Sequence, residues 1–150
     1  PSVAAGPGGA VAVAFYDSRQ ACPTADPSIS PGSRGRENVC IDVTLQVFKD
    51  SGAGAVRVGG NVRFTAFTWD PEQPVQTIDG LDQMACAAHE NPCTTRAFIG
   101  DYFGLAISAG NVYGFFVSTH YPSAVIGDQG TSVQYQQQVL ATASRAALGI

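Results

Sequence analysis

The sequence predicts an all-β fold built from short antiparallel strands. Helical periodicity is hard to find, whereas alternating, β-branched and aromatic runs recur along the chain. Gly and Pro separate these runs, as at 6–9, 51–54, 108–111 and 121–123. The pattern places strands at 10–16, 39–48, 61–68, 97–108, 111–119 and 131–143.

The composition bounds the class of protein. The chain has 150 residues, of which 45% are hydrophobic and 13% charged, enough apolar material for one core and too little length for two ordinary domains. The net charge of −4, with no basic cluster, argues against nucleic-acid binding. No run approaches the ~20 apolar residues of a membrane helix, so we expect no membrane span.

Four cysteines form two local pairs, Cys22 with Cys40 and Cys86 with Cys93. Each pair lies in a segment rich in Pro, Asp, Ser and Asn, where short-range disulfides would staple loops that have few apolar residues. The alternative, a zinc site, wants closer C-x-x-C spacing and further ligands, and His89 is the only histidine near any of the four. The favoured interpretation is two disulfides, no bound metal and a secreted, extracellular location.

A weak internal repeat organises the strands. When residues 4–19 are laid over residues 105–120, Gly9 falls on Gly110, Val11 on Val112, Phe15 on Phe116 and Ser18 on the similar Thr119. Each copy is a strand, a Gly turn and a second strand, followed by a third at 39–48 or 131–143, and in the first copy by a fourth at 61–68. Four antiparallel strands per repeat predict blades of a β-propeller.

The chain holds about two such blades, whereas propellers have about four to eight. Blade one spans about 1–70, a disulfide loop 70–96, and blade two about 97–145, without its outermost strand. We therefore expect the C-terminal part of a longer propeller, whose remaining blades come from another chain or from copies of this one. The alternative is a closed β-sandwich of 150 residues.

Three segments, "VAVAFYDSR" (11–19), "FIGDYFGLA" (98–106) and "VYGFFVSTH" (112–120), resemble the sialidase-like, Asp-box β-propellers of secreted bacterial proteins. The resemblance implies a propeller fold and a glycan-binding or glycan-hydrolysing channel face. The family's Ser-x-Asp-x-Gly-x-x-Trp box survives only as a remnant at Asp50, Ser51 and Gly52, with no tryptophan. The arginine clamp and the tyrosine nucleophile of true sialidases have no counterpart here, so fold is implied more strongly than activity.

Five residues are candidates for ligand contact: Asp17, Arg19, Asp101, Tyr102 and His120. Asp101 and Tyr102 fall on the predicted inner strand of blade two, where only one of them can face the channel; the alternative is backbone hydrogen bonding and packing. Asp17 and Arg19 end a strand beside the first cysteine loop, as an anion or sugar site or as an ion pair that anchors the loop. His120 ends the matching strand, as a proton shuttle, a carbohydrate contact or a loop residue.

Two further patterns carry weaker hypotheses. The acidic loop with Asp70, Glu72, Asp79 and Asp82 offers oxygen ligands for calcium but lacks regular D-x-D spacing, so solvated acids are the favoured interpretation. The "QYQQQ" run at 134–138 suits an edge strand that awaits an outer neighbour. The expected function is glycan binding or hydrolysis, of uncertain catalytic status; the alternative is a non-catalytic propeller that binds a cell-surface protein or glycan.

Overall fold

The structure is a computed structural model. It describes residues 1–26, 29, 31–71, 77–78, 81–82, 103–120, 122–126, 132–134 and 137–150. Its strands pair antiparallel throughout this part of the chain, which confirms the all-β prediction. Among the strands that the structure describes, the sheets are not closed into a ring.

The first sheet, here called sheet I, is a four-stranded antiparallel meander. Its strands, in spatial as well as chain order, are β1 (Ser2–Gly6), β2 (Ala10–Asp17), β3 (Asp42–Asp50) and β4 (Ala55–Arg63). A single 3₁₀ turn at Pro7–Gly9 joins β1 to β2. The turn between β3 and β4 is closed by Asp50, whose Oδ1 accepts a hydrogen bond from the Gly52 backbone N–H at 2.8 Å.

The second sheet, sheet II, contains β7 (Gly104–Ile107), β8 (Asn111–Ser118) and β11 (Gln137–Ser144). Its spatial order is β11-β8-β7, so β8 is central and β11 lies at an edge among the described strands. A one-turn helix, α1 (Arg145–Leu148), follows β11. Sheet II therefore repeats the first three strands of sheet I.

Two short hairpins lie in the connections. β5 (Thr77–Ile78) pairs with β6 (Leu81–Asp82), and β9 (Pro122–Ile126) pairs with β10 (Ser132–Gln134). The predicted strand at 131–143 is thus two strands in two sheets, with Gln134 in β10 and Gln138 in β11. The hairpin β9-β10 is an insertion between the second and third strands of sheet II.

The core lies between one face of each sheet, called the inner faces. On sheet I, Ala12 and Ala14 of β2 pair with Val47 and Leu45 of β3, and all four are buried. On sheet II, the buried residues of β8 include Val112 and Phe116. Burying a side chain such as that of Leu45 contributes about 1.5–3 kcal/mol, so the buried residues of this junction stabilise the fold.

An aromatic cluster closes one end of the junction. Trp69 is fully buried and stacks on Phe116, with ring centroids 6.0 Å apart. Tyr16 and Phe103 meet edge to face at 5.6 Å, and burial raises the pKa of the Tyr16 hydroxyl. Trp69 is therefore a core residue and not a platform for a sugar.

Close backbone approach fixes how the sheets meet. A Cβ on Gly114 would lie 2.4 Å from a ring carbon of Phe64, so Phe64 packs directly on the β8 backbone. At the opposite end, Arg145 joins the two hairpin turns: its Nη2 donates to the Pro7 carbonyl at 2.9 Å and its Nη1 to the Ser108 carbonyl at 3.3 Å. The turns of the two repeats are thus held together by one guanidinium.

The repeat coincides with the strands, but the matched strands bury opposite faces. A spacing of 101 residues carries β2 onto β8 from first residue to last. In β2 the buried residues are Ala10, Ala12 and Ala14, whereas in β8 they are at 112, 114, 116 and 118. Phe15 therefore lies on the outer face of sheet I, while its match, Phe116, lies in the core.

The fourth strand of sheet I also differs from its predicted boundaries. The fourth strand was predicted at 61–68 and lies at Ala55–Arg63, because Gly59 and Gly60 continue the strand as a bulge and do not end it. Of the predicted strand at 97–108, the described part is Gly104–Ile107; residues 97–102 lie outside the described residues.

Candidate functional site

A polar cluster occupies the outer face of sheet I. Strand alternation sends Val43, Leu45 and Val47 of β3 to the core, and sends Asp42, Thr44 and Gln46 to the other face. All six are nevertheless buried, because side chains from β2, β4 and the segment after β2 cover the polar three. The cluster lies where β2 and β4 end and β3 begins.

Asp17, the last residue of β2, is held by Arg19 and Thr44. Its Oδ2 accepts hydrogen bonds from Arg19 Nε at 2.6 Å and from Thr44 Oγ1 at 2.7 Å, and its Oδ1 accepts from the Arg19 backbone N–H at 3.0 Å. The hydrogen bond from the Arg19 side chain is the main reason that the pKa of the Asp17 carboxyl falls to about 2. Asp17 is therefore an ionised acceptor at neutral pH.

Asp42, the first residue of β3, forms a second and more buried centre. Its Oδ1 accepts from Arg63 Nε at 2.6 Å and from Thr65 Oγ1 at 3.2 Å. Its Oδ2 accepts from Thr68 Oγ1 at 3.0 Å, and Thr68 Oγ1 in turn accepts from Arg63 Nη2 at 2.6 Å. The network ties the end of β4 and the following loop to β3, and it leaves the Asp42 carboxylate fully engaged.

The two carboxylates are cross-strand neighbours. Asp17 and Asp42 are directly paired in the β2-β3 ladder, an arrangement that repels when both are charged. Each carries its own arginine, Arg19 on Asp17 and Arg63 on Asp42, so the formal charge of the four side chains cancels. Each arginine therefore neutralises the charge of one aspartate, and each carboxylate fixes the orientation of one guanidinium.

A bulge in β4 brings a third group to the cluster. Between the pairs Leu45–Val62 and Val47–Val58, β3 has one residue and β4 has three, and Gly59 adopts a left-handed φ of 59°. Gln46 fills the gap, with its Nε2 donating to the Val58 carbonyl at 3.1 Å. With its amide oriented to satisfy both ends, Asn61 donates to Gln46 Oε1 at 2.8 Å and accepts from Arg19 Nη1 at 3.1 Å.

These groups line a cleft of about 200 Å³. Every residue that lines it has a polar or charged side chain: Asp17, Arg19, Gln20, Asp42, Thr44, Asn61 and Arg63. The Arg19 and Arg63 side chains remain 59% and 42% exposed, whereas the carboxylates beneath them are covered. Among the described residues, none accepts a hydrogen bond from Arg63 Nη1. The cleft thus presents anchored N–H donors to solvent.

A second cavity, of about 190 Å³, lies between the loop after β4 and β11. Its lining residues are Phe64, Thr65, Ala66, Phe67, Phe116, Val139, Leu140, Ala141 and Thr142. None of these residues carries a charge, so the cavity lacks the guanidinium and carboxylate groups of the first cleft.

Of the five residues predicted to contact a ligand, the structure brings together two. Asp17 and Arg19 form the ion pair just described and lie in the cleft. His120 lies elsewhere, stacked on Phe67 with ring centroids 4.0 Å apart and its Nδ1 3.7 Å from Asp26 of the first cysteine loop. Burial lowers the pKa of His120, and Asp26 offsets part of that effect. Asp101 and Tyr102 lie outside the described residues.

Of the two predicted disulfides, one lies within the described residues. Cys22 and Cys40 form the predicted disulfide, with Cα atoms 5.3 Å apart, and both are buried. Cys86 and Cys93 lie outside the described residues, as do Glu72 and Asp79 of the acidic loop. Asp70 of that loop is buried, and its backbone carbonyl accepts from Thr119 Oγ1 at 2.6 Å.

The sequence interpretation missed Asp42, Thr44, Asn61 and Arg63. One signal was present: Asp42, Thr44 and Gln46 alternate with Val43, Leu45 and Val47, which marks a polar face on a strand with a buried opposite face. The position of Asn61 had no comparable signal, because it depends on the bulge register.

Two features are absent from the described residues. No group of three or more His, Cys, Asp or Glu side chains there is placed to hold a metal ion. No helix in the described part of the chain is long and apolar enough to cross a membrane.

Comparisons of the chain with protein-family profiles, with curated proteins and with solved structures gave no match.

Proposed function

We propose that sheets I and II are consecutive blades of a sialidase-like β-propeller, and that the cleft on sheet I binds an acidic sugar. The observation that carries the ligand proposal is the pair of exposed guanidiniums, Arg19 and Arg63, each fixed by its own covered carboxylate. The protein is proposed to act as a secreted glycan-binding module.

The blade proposal is supported by the match between the sheets. Sheet I has the strand order of a complete four-stranded blade, and sheet II repeats its first three strands at a constant spacing from β2 to β8. The opposite faces that the matched strands bury are a further support. Units stacked in one orientation around an axis meet in this way, whereas the two sheets of a symmetric sandwich bury equivalent faces.

The ligand class follows from the donors of the cleft. Arginine binds carboxylates through two parallel N–H groups, and an anchored guanidinium loses little freedom when it does so. The side chains of Gln20, Thr44 and Asn61 add hydroxyl and amide groups that suit the hydroxyls of a sugar ring. The cleft is smaller than the ~300–1,000 Å³ of pockets that enclose a drug-sized ligand, so a single sugar unit is the proposed fit.

Binding is favoured over hydrolysis by the state of the two carboxylates. A general acid must carry a proton near neutral pH, and the pKa of Asp17 is about 2. Asp42 accepts hydrogen bonds from three side chains and is buried beneath them. Neither carboxylate is placed to protonate a leaving group.

The proposed location and partners rest on chemistry of the same part of the chain. The Cys22–Cys40 disulfide is the kind of bond that persists in oxidising compartments, which supports a secreted protein. The proposed partners are a cell-surface glycan bearing carboxylates and further blades that cover the open faces of the two sheets.

The ligand proposal is tested by titrating the protein with N-acetylneuraminic acid, galacturonic acid and neutral galactose. Binding is measured from changes in the NMR chemical shifts of the protein. We expect binding of at least one acid and none of galactose. Arg63→Gln removes a charge-assisted contact and is expected to weaken binding about ten- to a hundredfold. Arg36→Gln is the matched control, because Arg36 is exposed but donates to Gly32 of the cysteine loop, away from the cleft.

Two results would contradict the proposal. One is equal binding of the acids by Arg63→Gln and the unsubstituted protein. The other is turnover of fluorogenic sialosides or uronides that Arg19→Ala abolishes, which would establish a hydrolase in place of a binding module.

A further inference from the structure

The single junction between the sheets joins unlike faces of matched units. Sheet I contributes the face that carries Ala12 and Ala14, and sheet II contributes the face that carries Val112 and Phe116. The 101-residue spacing matches Val112 and Phe116 with Val11 and Phe15, which lie on the outer face of sheet I. The junction is therefore heterologous. In each sheet the face left outside the junction, here called the retained face, is equivalent to the face that the other sheet buries.

The retained face of sheet II is exposed to solvent at positions whose equivalents in sheet I are buried. Ala14 pairs with Leu45, and the residue matched to Ala14, Phe115, pairs with Leu140. Leu45 and Leu140 thus occupy equivalent positions in β3 and β11. Leu45 is 0% exposed and Leu140 is 63% exposed. Phe115, beside Leu140, is also one of the exposed large apolar residues.

The two retained faces have compatible chemistry. On the outer face of sheet II, β8 and β11 present Tyr113, Phe115, Leu140 and Thr142, without a charge. On the outer face of sheet I, the first two strands present Val3, Val11, Val13 and Phe15, with Val3 paired to Val13. The charged cluster lies on the same face of sheet I, at the end where β2 and β4 end and β3 begins.

We propose that the outer face of sheet II binds the outer face of sheet I of a second copy of this chain. The proposal rests on the blade arrangement proposed above and not on the ligand of the cleft. A second copy is the occupant that the molecule itself specifies, because its sheet I presents the face matched to the one that sheet II already buries in the core. The contact continues the existing junction from one chain to the next.

A contact of this kind propagates from copy to copy and ends only if the rotation closes a ring. Propellers close with about four to eight blades, which corresponds to about two to four copies of a two-blade chain. We therefore expect a particle of about two to four times the 15.5 kDa chain mass.

The experiment is sedimentation velocity on four samples at micromolar concentration. The unsubstituted chain is expected to assemble. Leu140→Asp places a charge on the outer face of sheet II, and Val3→Asp, at a position 66% exposed, places one on the outer face of sheet I. Each variant alone is expected to be monomeric, with an unchanged circular dichroism spectrum. Val56→Asp, at a position 57% exposed on β4, is the control that should still assemble.

An equimolar mixture of Val3→Asp and Leu140→Asp provides the sharpest outcome. Each variant keeps the face that the other has lost, so a head-to-tail contact predicts a 1:1 dimer in the mixture. A contact between like faces predicts no rescue. A monomeric unsubstituted chain, assembly of Leu140→Asp alone, or an unrescued mixture would each overturn the proposal. Sugar titration of the monomeric Leu140→Asp variant tests the cleft separately, because neither substitution touches it.

Discussion

Sheets I and II carry the same strand pattern and differ in what covers them. Leu45 of β3 is fully buried and its match in β11, Leu140, is 63% exposed, while Phe15 lies outside and its match, Phe116, lies in the core. The residue types are similar, so sequence pattern alone does not decide burial here. Burial depends on which side of each sheet has a neighbour. The comparison shows that the junction between the sheets buries opposite faces of two matched units.

The matched leucines offer the largest test of this comparison. Leu45→Ala removes a fully buried side chain and is expected to lower the free energy of unfolding by about 2–5 kcal/mol. Leu140→Ala, measured in the monomeric Val3→Asp background, is expected to change it by less than about 0.5 kcal/mol. Urea denaturation of both variants gives the two values. Equal costs would show that the sheets are covered alike.

The second test uses the Cys22–Cys40 disulfide, which closes the loop between β2 and β3 of sheet I. The double substitution Cys22→Ser with Cys40→Ser opens a loop closed over 18 residues and is expected to cost about 3 kcal/mol. Hydrogen exchange should rise first near Cys22 and the start of β3, with β8 least affected. A reducing agent acting on the unsubstituted protein supplies the control. Uniform loss of protection across both sheets would contradict a local staple.

The smallest effect is expected at Asp17, whose match in sheet II is the buried Ser118. The Asp17 carboxyl has a pKa of about 2, below its usual 3.8, because Arg19 and Thr44 donate to the ionised form. Its contribution is therefore complete above about pH 4 and is lost as the pH falls toward 2. Asp17→Asn should cost about 1 kcal/mol at pH 7, since Arg19 is largely exposed.

The pH profile provides the measurement for Asp17. Between pH 4 and pH 2 the unsubstituted protein should lose stability more steeply than Asp17→Asn, as followed by thermal denaturation. Gln20→Glu, at an exposed position that also lines the cleft, adds a carboxyl nearby and serves as a comparison. Parallel profiles for Asp17→Asn and the unsubstituted protein would show that the ion pair contributes nothing to the fold.

Much of the architecture could be predicted because it is local. Alternation placed β2 and β8, Gly turns placed their hairpins, and the short spacing of Cys22 and Cys40 predicted the disulfide. A third strand in each sheet and a fourth in sheet I alone were also predicted. These features depend on residues close in sequence, and physical preferences act directly at that range.

The cleft could be predicted only in part, because it depends on register. Asp17 and Arg19 are two residues apart and their pairing is local. Asp42 and Arg63 come from the adjacent strands β3 and β4, which are far apart in sequence. Asn61 reaches Arg19 only because Gly59 and Gly60 form a bulge. The fourth strand was predicted at 61–68, after Gly59 and Gly60, since turns and bulges share a preference for glycine. His120 was predicted to end the strand that matches the one before Arg19, and its ring packs on Phe67, outside the cleft.

In the proposed assembly a second copy covers Leu140, as Leu45 is covered within the chain. The direct test is the rate at which maleimide labels Leu140→Cys, in the otherwise unsubstituted chain and together with Val3→Asp. We expect labelling at least tenfold slower without Val3→Asp, because a second copy then covers the thiol. Equal rates in the two backgrounds would contradict the account.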